Sequence, residues 1–348
     1  MNESNPLFFS HHLRVHESCD IGEARRHVTA LCRRLAFTET RTAEAAIVVT
    51  ELATNLVKHT GGAGGDLVFC PMAVADEVGL EILCWDKGPG FANIAESLRD
   101  GCSTTGTLGI GLGAIRRLSS EFDLYTMPGQ GVVVLSRLWS NALPVTLPVL
   151  AVGAVCLPVH GEHECGDAWA MKQSRNTTLL MLADGLGHGP DAAIAANRAV
   201  AIFQKQEGRG PAELLELIHA ALHGSRGAAV AVAEVVQGRR SVRFAGVGNI
   251  SGLIITGETG RNMLSHDGTA GVSIRKIQEF TYDWPEGGLL VMHSDGVATR
   301  WSLPNYPGLV RKDSALIAAV LFRDYERQRD DSTLLVAKAA AQRERPSA

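Results

Sequence analysis

The sequence predicts two successive α+β domains, and three observations carry that prediction. The chain has 348 residues, more than one hydrophobic core usually organises and enough for two. Segments that read as helix and as strand alternate on both sides of a single break. That break is Asn141-Ala-Leu-Pro-Val-Thr-Leu-Pro148, which carries two prolines and no charge and follows a strand-like run at 132–138. The expected boundaries are 1–139 for the first domain, 140–148 for a linker, 149–340 for the second domain and 341–348 for a tail.

Before the break the pattern gives two helices, strands near 66–70 and 78–85, a glycine-rich stretch, a helix near 109–120 and a closing hairpin. After it come strands near 149–157 and 177–183, helices near 191–206 and 211–223, and several β-rich runs that include 228–236, 241–245 and 289–293. A last strand is expected near 333–337, and His11 and His12 read as a solvated terminus. Hydrophobic residues make up 45% and charged residues 20%, the composition of a folded chain rather than a disordered one. The formal net charge of -4 and the lack of a basic stripe argue against nucleic acid as a partner. Apolar runs are interrupted well before the ~18 residues of a membrane span, and the first residues lack the pattern of a secretory signal. Seven scattered cysteines, an odd number with no Cys-x-x-Cys, suit thiols in a reducing cytoplasm better than a disulfide framework or a zinc site.

The first chemical signal lies on the second helix. Glu51 and Asn55 are four residues apart and share one face, while Ala46, Ile47, Val48, Val49, Leu52, Ala53, Leu56 and Val57 make most of the rest apolar. A carboxylate and an amide on the remaining stripe must meet something polar: an ion and a reacting hydroxyl, or simply solvent. The second signal is Trp85-Asp-Lys-Gly-Pro-Gly90, where a strand ends on a carboxylate and enters a turn. Asp86 there can accept a hydrogen bond from an exocyclic amine such as that of adenine, although a plain turn has the same pattern. The third is Gly106-Thr-Leu-Gly-Ile-Gly-Leu-Gly113, leading into Ala114 and Ile115. Glycines let backbone amides approach phosphate, and a helix start favours anions. Neither a Walker loop nor a dinucleotide fingerprint is present.

In order and spacing these three signals resemble the N, G1 and G2 boxes of the GHKL (Bergerat-type) ATPases, and among them RsbT-type stressosome switch kinases, over roughly 28–139 and including Asp100-Gly-Cys-Ser-Thr-Thr. The resemblance implies an α/β sandwich that binds ATP with magnesium. It implies that Asp86 contacts adenine, that Gly88 and Gly90 shape the pocket, and that Gly106, Gly109, Gly111 and Gly113 belong to the phosphate side. Asn55 then holds magnesium and Glu51 activates a protein hydroxyl. One departure is Gly131-Val132, where the family usually has threonine after the glycine.

The second domain offers carboxylates: Asp167, Asp184 in Ala183-Asp-Gly-Leu-Gly-His-Gly189, Asp295 in His-Ser-Asp-Gly, and Asp330-Asp331. Three of these motifs adjoin apolar β-like runs, so acids stand at strand ends where they can converge. Oxygen ligands suit magnesium or manganese, and two such ions can activate a water against a phosphoryl group; any single Asp-Gly is also an ordinary turn.

That order resembles the PPM-type phosphatases of the SpoIIE branch, RsbX-like in the 183–189 run, over roughly 149–338 with Gly248-Asn249 as a further landmark. The resemblance implies an α-β-β-α sandwich with two manganese or magnesium ions. Asp184 bridges them, Gly185 offers its carbonyl, Asp167 supports one site, and Asp295 and Asp330 support the other. Asp331 is either a ligand or a support behind one. Together the two resemblances imply a partner-switching regulator that phosphorylates and dephosphorylates serine or threonine on a STAS-domain protein. The alternative is an anti-sigma-type ATP-binding module beside a phosphatase that is the only working enzyme.

Overall fold

The structure, a computed structural model, describes residues 10–74, 77–91, 111–141, 150–174, 176–236 and 239–339. The chain divides into two compact units: Met1–Leu147 with Arg311–Arg323, and Pro148–Val310 with Asp324–Ala348. The segment Arg311–Arg323 lies by sequence inside the expected second domain, yet it clusters with the first unit.

In the first unit, strand β1 (His11–Val15) is followed by helices α1 (Ser18–Arg34) and α2 (Glu39–His59), strands β2 (Gly65–Val74) and β3 (Glu77–Asp86), helix α3 (Gly111–Leu118) and the hairpin β4 (Glu121–Thr126) and β5 (Val132–Trp139). Helix α2 starts where the Thr38 hydroxyl accepts the Arg41 N–H at 3.2 Å, satisfying one of the amides that a helix start leaves open. Glu39 in its first turn and Lys58 and His59 in its last match the helix dipole. The strands form one antiparallel sheet in the order β1-β2-β3-β5-β4. Leu67, Phe69, Leu80, Ile82, Cys84, Val134 and Leu138 pack on one face with Val28, Leu31, Val48, Leu52 and Leu56 of the helices.

Side chains alternate across a strand, so Val68, Leu83, Trp85, Val133 and Leu135 point to the opposite face, and these too are buried. A sheet with two apolar faces needs two covers. Part of the second is helix α6 (Ser314–Tyr325), whose residues from Ser314 to Arg323 are all buried and whose Phe322 ring lies 5.9 Å from Trp85. The Arg137 guanidinium anchors the start of this segment. It donates to Asp313 Oδ2 and Oδ1 at 2.7 and 2.8 Å, to Glu81 at 2.7 Å and to Glu121 at 3.0 Å. Burial pushes the Glu81 carboxyl up while Arg137 pulls it back. Removing this cation leaves the buried Glu81 carboxylate and the half-buried Glu121 and Asp313 without it, so Arg137→Met is expected to destabilise the unit by about 3 kcal/mol. Chemical denaturation followed by Trp fluorescence checks this; a shift below about 1 kcal/mol would show the cluster to be energetically idle.

Two elements here depart from the sequence reading. His11 and His12 are not a solvated terminus but part of β1, paired to Phe69 and Val68, with His12 Nε2 2.8 Å from Asp66. Helix α6 has no apolar period to announce it, because it is buried on every side.

The second unit runs β6 (Leu150–Leu157), β7 (Asp167–Gln173), β8 (Thr177–Gly185), α4 (Pro190–Lys205), α5 (Pro211–Ala221), β9 (Ala228–Val236), β10 (Ser241–Val247), β11 (Ser251–Thr256), β12 (Thr259–Met263), β13 (Gly268–Thr269), β14 (Ser273–Ile274), β15 (Phe280–Asp283), β16 (Leu289–His293) and β17 (Ser332–Ala339). Two five-stranded antiparallel sheets form, β15-β10-β9-β8-β7 and β12-β11-β16-β17-β6. Leu180, Leu182, Ala231 and Phe244 of the first sheet share a core with Ala154, Leu290, Met292 and Leu335 of the second, which makes a sandwich. Met181, Ala183, Val230 and Val232 face the other way, onto Ala195, Ala199 and Phe203 of α4 and Leu214 and Ile218 of α5. Strand β7, which the sequence reading did not include, brings Asp167 level with Asp184.

Candidate functional sites

The N-terminal site assembles where α2, the end of β3 and the start of α3 meet. Gly111 opens α3, and a methyl group added to it would stand 3.0 Å from Glu51 Oε2 and 3.7 Å from Asn55 Oδ1. The first described turn of α3 therefore lies against the polar stripe of α2; a helix start in such a place suits a phosphate beside a cation. Gly113, two residues further in, is buried.

Asp86 ends β3 and accepts the Gly88 N–H at 2.7 Å through Oδ1, so the turn after the strand is folded onto its own carboxylate. A side chain at Gly88 would strike that oxygen at 2.9 Å and the α2 terminus at Thr60 at 3.1 Å; at Gly90, φ is +68° and a methyl group would meet Met127 O at 2.5 Å. Both positions require glycine. Burial raises the Asp86 carboxyl, opposed by the amides of Gly88 and Val132 and by the charges of Arg323 and His59. Thr126, which the sequence reading passed over, closes the loop. Its hydroxyl donates to Gly131 O at 2.8 Å and accepts from Phe91 N–H at 3.0 Å. Gly106, Gly109 and the run that starts at Asp100 lie outside the described residues.

In the C-terminal unit the acids are placed by strand ends and by one another's backbone. Asp167 and Asp184 are register partners at the open end of the β7–β8 pair. Ser294 Oγ donates to Asp167 Oδ2 at 2.6 Å and accepts the Thr333 N–H at 2.9 Å, a support the sequence reading missed. Asn249 Nδ2 donates to Asp295 Oδ2 at 2.7 Å, which gives the Gly248-Asn249 landmark a physical role. The Gly185 amide donates to Gly166 O at 3.0 Å, so its own turn is tied to Asp167's. Asp331 holds the backbone: its oxygens accept Val159 N–H at 2.9 Å and Gly166 N–H at 2.8 Å. Its neighbour Asp330 accepts the Asp331 amide at 2.9 Å. His188 pairs with Glu162 at 2.9 Å, and the residue before helix α4 is Gly189.

Burial, then the charges of Asp167, Asp295, Asp330 and Asp331, push Asp184 up to about 9. Burial likewise lifts Asp167 to about 7, against the hydrogen bond from Ser294. Asp167 Oδ1 is buried with no hydrogen-bond partner. Among the described residues no three His, Cys, Asp or Glu side chains close on one point as ligands of a single ion. The acids instead stand near enough for their charges to raise one another's carboxyls, and magnesium, which keeps several waters, needs few direct protein ligands. The orphaned Asp167 oxygen and the mutual repulsion are what a divalent cation would relieve, so the residues fit such an ion.

Raised carboxyl pKa values have a signed consequence. The stability these two groups contribute is present below about pH 4 and is lost as pH rises through about 7 for Asp167 and about 9 for Asp184. In EDTA, Asp184→Asn is therefore expected to stabilise the protein more at pH 8 than at pH 5, by about 2 to 4 kcal/mol. Unfolding curves of both proteins at the two pH values check it; an equal gain at both would mean that Asp184 does not titrate in that window.

Two family profiles match the chain: "Histidine kinase-like ATPase domain" over residues 17–137 and "Stage II sporulation protein E (SpoIIE)" over residues 174–340. The serine/threonine-protein kinase RsbT of Bacillus subtilis (strain 168) is 32% identical over 127 residues, 36% of this chain and 94% of RsbT. The chain belongs to the RsbT family in its N-terminal part, and its C-terminal part is similar to the SpoIIE family. A chain solved in work on the bacterial stressosome, described as a modular system adapted to control secondary messenger signaling, is 30% identical with a TM-score of 0.51. The match covers 54% of this chain and 99% of that one. RsbX in complex with magnesium aligns at 20% identity and a TM-score of 0.48, over 55% of this chain and 96% of that one. The expected pairing of a GHKL-like ATPase fold with a PP2C-like phosphatase fold is the one found. No helix among the described residues is long and apolar enough to cross a membrane.

Proposed function

We propose that this RsbT/SpoIIE-type chain is a bifunctional partner-switching regulator, a serine/threonine kinase and a metal-dependent phosphoserine/phosphothreonine phosphatase acting on a STAS-domain protein. The observation that carries the reading is the acidic cluster around the orphaned Asp167 oxygen, in the same chain as a helix start turned toward Glu51 and Asn55.

In the N-terminal unit Asn55 would hold magnesium and Asp86 would accept the adenine amine. Glu51 would take the proton of the protein hydroxyl as its oxygen bonds to the γ-phosphorus of ATP and the bond to the β-phosphate oxygen breaks, releasing ADP. In the C-terminal unit Asp184, the Gly185 carbonyl, Asp167, Asp295 and Asp330 would hold two manganese or magnesium ions. Bound there, the ions supply a water of lowered pKa and a clamp on the phosphoryl oxygens. This chain's residues orient that site: Ser294 fixes one Asp167 oxygen, Asn249 fixes one of Asp295, and Asp331 holds the β6 end and the Gly166 turn as a support.

Mass spectrometry of a candidate STAS-domain partner tests both halves. Incubation with the protein, ATP and magnesium should add 80 Da-class phosphate adducts (roughly one phosphoryl per site), and later incubation with manganese and no ATP should remove them. A partner that is bound but never modified would sink the kinase half and favour an ATP-dependent binding module.

A further inference from the structure

The ATP-binding sheet is completed by residues far from it in sequence, and one of these reaches the nucleotide pocket. Arg323, at the inner end of the buried stretch of α6, is only 3% exposed, and its Nη1 donates to the carbonyl oxygen of Asp86 at 3.3 Å. On the β5 side the ladder of β3 stops at Trp85, so this carbonyl lies just past the last paired residue. The same peptide is enclosed from another side, because a methyl group at Gly131 would stand 2.1 Å from Asp86 O and 2.9 Å from Lys87 Cα. The plane of the Asp86–Lys87 peptide is thus set from two directions, immediately between the Asp86 carboxylate and the Gly88–Gly90 turn. A charged guanidinium is costly to bury without acceptors and strong when it has one. Its placement at the exit of β3 puts a fixed positive charge behind the carboxylate.

We propose that Arg323 is a positioning residue of the nucleotide pocket: by holding the Asp86 carbonyl it fixes where the Asp86 carboxylate sits and so sharpens the choice of an adenine base. The proposal rests on the reading of Asp86 as the adenine contact. Residues 311–323 lie outside the ATPase family match at 17–137 and inside the SpoIIE match at 174–340. The pocket therefore draws on a residue that the kinase part alone does not encode. A carboxylate facing the 6-position of the purine favours adenine, which presents the N6 amine there, over guanine, which presents the O6 oxygen. The energy of that choice depends on how tightly the carboxylate is held.

The experiment is calorimetric titration of the full-length protein and its variants with ATP and with GTP, each with magnesium. Arg323→Met should weaken ATP about tenfold and lower the ATP-over-GTP preference by about tenfold, and Arg323→Lys should restore that preference to within about threefold. A merely structural arginine would lower the thermal midpoint and leave the preference where it was, and that result overturns the proposal. Should Arg323→Met fail to fold, Arg323→Gln carries the same comparison with a donor retained and the charge removed. Asp86→Asn tests the underlying reading separately. If it binds ATP as the native chain does, the adenine assignment falls; if it loses ATP while Arg323→Met keeps an unchanged preference, only the role of Arg323 falls.

Discussion

Asp184→Asn is expected to lower phosphoserine phosphatase turnover by a factor of about a thousand or more while ATP-dependent phosphorylation of the same partner continues. The substitution is nearly isosteric, so the sandwich should survive it, and in the metal-free protein it should add stability for the reason given above. What it removes is the anionic oxygen at the centre of the acidic group, the one carboxylate that feels the charge of Asp167, Asp295, Asp330 and Asp331 together. Losing a supporting residue in such sites costs about 10- to 100-fold, so a central ligand should cost more. Phosphate release from a phosphorylated STAS-domain protein with manganese reads the effect, and transfer from labelled ATP reads the control. Residual turnover above about a tenth of native would remove Asp184 from the centre of the chemistry. Loss of both activities would mean that the two sites are not independent.

The second large effect is expected at Glu51. Glu51→Gln should cut phosphoryl transfer by about 100- to 10,000-fold and change ATP affinity by no more than about threefold. The carboxylate stands over the start of α3, a methyl's reach from Gly111, in the place for a group that receives a proton rather than one that holds the base or ribose. Glutamine keeps its size and hydrogen-bonding reach but does not accept the proton at neutral pH. Transfer is measured by labelled ATP and affinity by calorimetry on the same preparation. Equal loss of binding and transfer would make Glu51 a nucleotide ligand. Full retention of signalling by a variant that has lost transfer would instead favour an anti-sigma-type binding module, with the phosphatase as the only working enzyme.

Much of the local pattern behind these two candidate sites is legible in the sequence. The Glu51–Asn55 stripe, the Asp86 turn and the Asp-Gly motifs at 184 and 295 are each local, and local pattern carries them: i,i+4 spacing on a helix, or a strand running into a turn. Strands β9 and β16 fall at the expected residues, 228–236 and 289–293, because each is a continuous apolar run bounded by turn residues. Strand β1 is hidden in the sequence because its alternation is only five residues long and begins on two histidines, so pairing with β2 rather than its own pattern secures it. Strand β7 was hidden for a related reason, since Asp167-Ala-Trp-Ala-Met-Lys-Gln173 reads as readily for a turn and a helix as for a strand. Ser294 and Thr126 were invisible as supports, since a hydroxyl announces nothing until its partner is known.

By itself, the order of residues determined that a GHKL-like motif set is followed by a PP2C-like one, and which acids and glycines are the candidates for their sites, because backbone propensity and side-chain chemistry act over a few residues. Only the tertiary structure decided which groups complete each set. The orphaned Asp167 oxygen, the service of Asp331 to two distant amides, and the cover of the ATP-binding sheet by a helix that begins 175 residues after the end of β5 (314 against 139) are all contacts between remote segments. Burial and charge select such contacts through the whole fold, since a buried guanidinium, an unpaired carboxylate or an apolar sheet face is satisfied only by whatever the chain brings to it.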